Sequence, residues 1–302
     1  TGSRSGLIGH VFRLLDALGK RSPRWLLLEN VPFMLQLQHG RAMRYLVDSL
    51  EERGYTWAYR VVDARAFGIP QRRRRVILLA SKSEDPRPCL FADDAAKREN
   101  AFAPNLLCGF YWTEGLRGLG WAVDAVPTLK GGSTIGIPSP PAIWNPQDGS
   151  IGTPTITDAE RLQGFEAGWT TPAGEAEGVR DSHRWKLVGN AVNVRVAEWL
   201  GRRLVSGGRV GAGEDRLALG KAWPTAAWGH GGEAFSVAVS EWPEQQRHVH
   251  LRHFLHSPLK PLSRRAAAGF LSRALVAKLN FEDGFLDDVA RHIDRMDRLT
   301  AA

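Results

Sequence analysis

The sequence predicts an α/β protein with a mainly parallel sheet, and three observations carry that prediction. Leu7, Val11, Leu14, Leu15 and Leu18 recur at helical spacing. The run Trp25-Leu26-Leu27-Leu28 is short and wholly apolar, the form of a strand covered on both faces. Helical and strand-like segments then alternate up to Leu79, the pattern of layered α/β folds.

Each element has a local cause. Residues 5–20 read as an amphipathic helix stopped by Gly19 and Pro23, and residues 25–28 as the buried strand. Residues 40–53 form a second helix closed by Gly54; residues 55–62 alternate like a strand. Gly68-Ile69-Pro70 makes a turn into a further apolar strand at 75–79. Between 81 and 152 Pro, Gly and Ser multiply and periodicity fades, giving a small irregular region with Lys130-Gly131-Gly132-Ser133 in a loop. Thr157-Asp158-Ala159-Glu160 looks like a helix start, with Asp158 or Thr157 as its cap. Residues 185–204 form a long helix, or a turn and a helix, with Asn190 near the beginning. Past a Gly-rich break at 206–213 lies a tail with Trp223, Trp228 and Trp242 and helices at 264–279 and 286–296.

At 302 residues the chain can hold two or three domains. Its net charge of +8 is already reached within residues 1–81, which carry 14 Lys/Arg against 6 Asp/Glu, so that end is expected to meet an anionic partner. Only 8 of the 40 basic residues are Lys, and Arg is the better donor for paired phosphate contacts. Two cysteines, Cys89 and Cys108, and no run of 18 apolar residues predict a reducing cytoplasm and no membrane span. The 9 His have no CxxC or HxxxH company, so no metal site is expected.

Glu29 ends the first strand, where open α/β sheets place ligand-contacting residues. In the run Gln71-Arg72-Arg73-Arg74-Arg75-Val76, strand alternation puts Gln71, Arg73 and Arg75 on one face and Arg72 and Arg74 on the other. One face can serve a site while the other meets phosphates. Two more blocks follow, Arg161-Leu162-Gln163-Gly164-Phe165 and Gly189-Asn190-Ala191-Val192.

Glu29-Asn30-Val31, the Gln71 run, the Arg161 block and the Gly189 block resemble the sixth, eighth, ninth and tenth motif blocks of DNA (cytosine-5) methyltransferases over about residues 1–205. The resemblance implies part of a class I, Rossmann-like methyltransferase sheet, a small irregular target-recognition domain and a mixed carboxyl-terminal extension. In these terms residues 1–82 are the second half of the catalytic core, 83–150 the recognition region, 151–206 the return to the core, and 207–302 an extension of unknown role. It also implies roles: Glu29, Arg73 and Arg75 hold a cytosine flipped out of double-stranded DNA, Asn30, Gln71, Arg72 and Arg74 support DNA binding, and Asn190, Ala191 and Val192 line S-adenosylmethionine. Many relatives have Ser where Ala191 stands.

Two family parts are missing from the sequence. No Gly-rich cofactor loop precedes Glu29, and no Pro-Cys-Gln loop occurs; Pro88-Cys89 continues with Leu90-Phe91 and lies after the Arg run. The expectation is therefore the carboxyl-terminal part of a restriction or phage-defence enzyme that is inactive without an amino-terminal half in the same or a separate chain. The alternatives are a non-catalytic DNA-binding subunit of a split methyltransferase and a tRNA-directed relative. A tail like residues 207–302 has no role implied by the resemblance.

Overall fold

The computed structural model describes residues 7–98, 100–132, 138–175, 182–218 and 222–301. Positions 5 and 6 of the expected first helix, and Ser133 of the expected loop, lie outside them. The chain divides into two compact units, neither continuous in sequence: residues 1–63, 74–97 and 198–245 form one, and 64–73, 98–197 and 246–302 the other.

In the first unit, β1 (Trp25–Asn30), β2 (Thr56–Asp63) and β4 (Arg74–Ser81) match the three expected strands, and α1 (Leu7–Leu18) and α2 (Arg41–Glu51) the two expected helices. Only ten residues, 64–73, separate β2 from β4, too few for the crossover that a parallel neighbour needs. Strand β4 therefore returns antiparallel and inserts between β1 and β2. Those two run in the same direction yet never touch. The mainly parallel sheet expected from the sequence is thus an antiparallel one, although the α/β class holds. One face carries Phe12 and Leu15 of α1, Met43, Leu46 and Leu50 of α2, and Trp57, Tyr59, Val76 and Leu78 of the sheet in a single core.

Part of the stretch read as an extension over 207–302 pairs with the first sheet. Strands β10 (Glu214–Arg216), β11 (Ala226–His230) and β12 (Glu233–Val237) continue the first sheet, in the order β1-β4-β2-β11-β12-β10. Trp223, the first Trp of this stretch, donates to Gly40 O at 3.0 Å and sits against Trp57. On the opposite face from α2, Arg60 is fully buried, and its guanidinium bonds Ser240 O, Leu90 O at the end of α3 (Arg87–Phe91), Asp93 O and Asp94. The second half of α7 (Val194–Val205) is tied to the same segment by Trp199 and Arg203, both bonded to Asp93.

The second unit holds a pair of parallel strands, β3 (Gln71–Arg72) with β7 (Val126–Pro127), and a five-stranded sheet. The latter runs β13 (Lys260–Pro261), β9 (Ser150–Thr153), β8 (Ala142–Asn145), β5 (Cys108–Phe110) and β6 (Ala122–Val123). Its core is aromatic: Phe110 and Trp144 meet Phe270 of α9 (Arg264–Ala274) and Phe285 of α10 (Phe285–Ala301), with ring centroids 5.0 Å apart for Phe110 and Phe285. Helix α4 (Ile156–Leu162) is capped by Thr155, whose hydroxyl accepts from Asp158 N, and not by Thr157 or Asp158. Short helices α5 (Thr171–Glu175) and α8 (Leu251–Phe254) flank α6 (Ser182–Asn190). Asn190 ends α6 instead of standing near the start of a long helix, because Asn193 opens a new one: its Oδ1 accepts from Arg195 N and Val196 N at the head of α7.

Candidate active site

Register brings two of the predicted residues together. Glu29 lies opposite Ile77, and Arg75 is two positions from Ile77 on the same face, so the two are diagonal neighbours across an antiparallel ladder. Arg75 Nε stands 2.9 Å from Glu29 Oε1, with side-chain exposures of 14% and 24%. The pair is an attraction of charges without hydrogen-bond alignment, since Glu29 Oε1 is buried and accepts no hydrogen bond. Arg75 Nη1 donates instead to Arg74 O at 2.8 Å, which braces the guanidinium. Asn30 Oδ1 accepts from Val31 N at 2.8 Å and so shapes the turn after the strand.

Beside the pair lies an apolar cavity of about 400 Å³, lined by Leu28, Val31, Phe33, Met34, Val76 and Leu78 among others, with Glu29 and Asn30 in its wall. This carboxylate oxygen, held by Arg75 through charge and accepting no hydrogen bond, keeps its capacity to accept from a donor.

The other members of the Arg run are used differently from the sequence expectation. The strand breaks at Arg73, so the alternation does not extend across the run. Gln71 is fully buried and makes no DNA-facing surface: its Nε2 donates to Leu162 O at 2.7 Å and its Oε1 accepts from Leu129 N at 3.0 Å. Arg73 is also buried, and its guanidinium donates to Ala191 O at 2.7 Å, Gly189 O at 3.4 Å and Leu129 O at 3.3 Å. These bonds make it a clamp on the Gly189 block. Arg72 donates to Trp121 O at 2.7 Å, and Arg74 makes a two-pronged ion pair with Glu241. Both of the supposed phosphate contacts therefore have partners within the protein.

Two further residues complete the clamp, and sequence reasoning gave neither a role. Gln163 Nε2 donates to Val188 O at 2.7 Å, and Asn193 Nδ2 to Leu162 O at 3.4 Å. Gln163 could have been suspected, since it lies in the Arg161–Phe165 block between the apolar Leu162 and Gly164. At Gly189 the backbone of residues 130–131 comes so near that an added Cβ would lie 2.2 Å from Gly131 N, so only glycine fits. With its carbonyls taken by Arg73, the turn presents outward the side chains of Asn190 and Val192, both exposed, while Ala191 is half-buried. That fits one wall of a ligand site and no more.

Neither cysteine is prepared as a nucleophile. Both are buried; burial pushes the Cys108 thiol up to about 12, and burial together with Glu84 and Asp85 raises that of Cys89. Replacing either by Ala in an active enzyme should leave methyl transfer unchanged, as measured by incorporation of labelled methyl groups; a lost activity in one mutant would identify that thiol as the attacking group.

One cluster lies apart from all four blocks. Asp124, His248 and His250 place three atoms capable of binding a cation within 4.8 Å. Arg98 Nη2, which can only donate, is 3.1 Å from His248 Nδ1, so the ring hydrogen sits on Nε2, the atom that faces Asp124 at 2.5 Å. A metal-bound imidazole needs the opposite arrangement, with an acceptor behind Nδ1. No helix of the described residues is long and apolar enough to cross a membrane.

The pattern of the family described as C-5 cytosine-specific DNA methylase matches residues 2–104. The chain is 48% identical over 303 residues to the type II methyltransferase M2.BsuMI of Bacillus subtilis (strain 168), covering 97% of this chain and 78% of that protein. It is 28% identical to the type II methyltransferase M.NaeI of Lentzea aerocolonigenes, over 64% of this chain and about half, 52%, of that one. Among solved structures, Dnmt2 methyltransferase of S. pombe aligns with 68% of this chain and 71% of its own at 17% identity and a TM-score of 0.46. The extent and identity of the M2.BsuMI match establish that the chain belongs to the DNA (cytosine-5) methyltransferase family.

Proposed function

We infer that the chain supplies the cytosine-holding and recognition parts of an enzyme that methylates C5 of cytosine in duplex DNA, in a cytoplasmic restriction-modification or phage-defence setting. The observation that carries this reading is the buried Glu29 oxygen that accepts no hydrogen bond, set beside Arg75 at an apolar cavity. A flipped cytosine offers what that oxygen lacks. Its exocyclic amine can donate to the carboxyl group, its N3 can take a proton from it as density builds on the ring, and its O2 can accept from Arg75.

S-adenosylmethionine supplies the electrophilic methyl group, and the Asn190–Val192 turn would form one wall of its site. The backbone of that turn is fixed by Arg73, so Asn190 and Val192 offer side chains from a rigid support. DNA phosphates would be met by other arginines than Arg72 and Arg74, and Asn30 would act by holding the turn after Glu29.

The thiolate and the cofactor loop would come from an amino-terminal half, in the same chain or a second one. Support comes from β1, which among the described residues pairs only with β4 and so leaves one side of its ladder open, while Leu27, Val31 and Phe33 are exposed near it. The 302 residues alone should therefore elute as aggregates and transfer no methyl groups, and supplying the amino-terminal half should restore both solubility and transfer. Incorporation of labelled methyl into duplex DNA by these residues alone would refute the division of labour. Incorporation by the complete enzyme into tRNA but not DNA would replace the substrate.

A further inference from the structure

Four of the nine histidines crowd into residues 248–256 of the tail, and the structure sorts them into two pairs. His248 and His256 each have a ring lone pair taken: Arg98 Nη2 donates to His248 Nδ1 at 3.1 Å, and Arg161 Nη2 to His256 Nε2 at 2.8 Å. A guanidinium can only donate, so in both rings the remaining nitrogen carries the hydrogen. His250 and His253 meet no such donor. Both line a polar cavity of about 380 Å³ within the second unit, together with Asp124, Gln147 and Arg252. Neither the four motif blocks nor the proposed chemistry uses it.

His250 is oriented as a metal ligand is. Asp124 is buried in the left-handed backbone region, φ +51°, where a non-glycine residue sits only when its surroundings hold it. One of its carboxylate oxygens accepts from Leu251 N at 2.9 Å; the other faces His248 Nε2 at 2.5 Å and His250 Nδ1 at 2.6 Å. That oxygen fixes the His250 hydrogen on Nδ1 and leaves Nε2, on a ring 58% exposed, with its lone pair. A carboxylate behind Nδ1 is the usual outer support of a metal-bound imidazole, since it sets the tautomer and strengthens the ring as a ligand. His248, beside it, has the reverse arrangement.

His253 follows three positions on, across the single turn of α8, which His253 N closes on His250 O at 2.9 Å. Residues so spaced are neighbours on a helix face. Their ring centroids are 6.3 Å apart. With metal–nitrogen bonds of about 2.1 Å, two imidazoles that share an ion have centres roughly 5–6.5 Å apart. His253 is exposed and, among the described residues, its ring makes no hydrogen bond, so it can turn to meet an ion. The amide oxygen of Gln147 and water would complete the shell. Arg252, tied through Nη2 to Asn105 O and Asn145 Oδ1, adds a positive charge to the wall. Neutral nitrogen ligands near that charge disfavour Mg²⁺ and Ca²⁺, which seek oxygen, and suit ions such as Zn²⁺ and Ni²⁺.

We propose that His250, backed by Asp124, and His253 bind one transition-metal ion of the Zn²⁺ class. This revises the expectation of no metal site, which weighed only CxxC and HxxxH spacings. The test is to strip the complete enzyme with a chelator and titrate it with Zn²⁺ by calorimetry, so that methyl transfer is not the readout. A double variant, His250→Ala with His253→Ala, should bind one ion fewer than the wild type. Either change alone should weaken that ion about 10-fold or more. Both residues are exposed, so the variants keep the fold. Asp124→Asn, which suits the left-handed backbone, should weaken the ion by a factor of about 10 or more, as losses of outer support do. Zn²⁺ should raise the midpoint of thermal unfolding in the wild type by more than in the double variant. Equal stoichiometry in the wild type and the double variant overturns the proposal. So does an equal loss in His256→Gln, which marks loose capture by a histidine-rich tract, or normal affinity in Asp124→Asn, which leaves only two exposed rings and no built site.

Discussion

Glu29→Gln in the complete enzyme should lower methyl transfer by a factor of about 10² or more, the usual scale for a lost proton donor or acceptor. The amide keeps the size of the carboxyl group but cannot give a proton to cytosine N3, and it removes the charge that holds Arg75 Nε at 2.9 Å. DNA binding should persist, because the residue lies in a partly buried wall and touches no phosphate-binding surface. Arg75→Ala should reproduce much of the loss in turnover with little loss of affinity. Single-turnover incorporation of labelled methyl, measured beside duplex binding, separates the two effects. A Glu29→Gln enzyme with normal turnover would remove this carboxyl from the chemistry.

Arg73→Ala should act on stability first. Removing the guanidinium leaves the carbonyls of Leu129, Gly189 and Ala191 without their donor in a buried site, at a cost of about 3 kcal/mol or more. The urea midpoint should fall accordingly, and the apparent affinity for S-adenosylmethionine should weaken as the Asn190 turn loosens. Arg74→Ala is the natural control: its pair with Glu241 is partly exposed, so its loss should cost no more than about 1 kcal/mol. Equal midpoints for the Arg73 and Arg74 variants would mean that the clamp holds nothing, and would return Arg73 to the list of cytosine ligands.

The contrast between Arg75 and Arg73 shows what the sequence makes legible. Strand ends and ladder faces follow from local pattern, and they suffice to bring Glu29 to Arg75 once β1 and β4 are neighbours. Local pattern gives the face on which a side chain lies but not what covers that face. The carbonyl that meets Arg73 belongs to Gly189, 116 residues further on, and nothing near Arg73 announces it. The same limit hid the fate of the tail. Trp223 stands in the sequence only as one Trp of the tail, and only the pairing of nearby Ala226 with β2, more than 160 positions earlier, shows which sheet it joins. The sheet direction escapes local pattern for another reason, because buried strands can have the same apolar composition whether their neighbours run with them or against them.

The division of each unit into three separate stretches also governs how the molecule can be made. Strand β9 receives its edge partner β13 only after a further hundred residues have been synthesised, and the aromatic core around Phe110 waits for Phe270 and Phe285. The second unit cannot finish until residues 246–302 have been made, so its folding should come late and be slow, as expected for distant pairings. A chimera that exchanges residues 83–150 alone would cut across both units, since 83–97 belong to the first and 98–150 to the second.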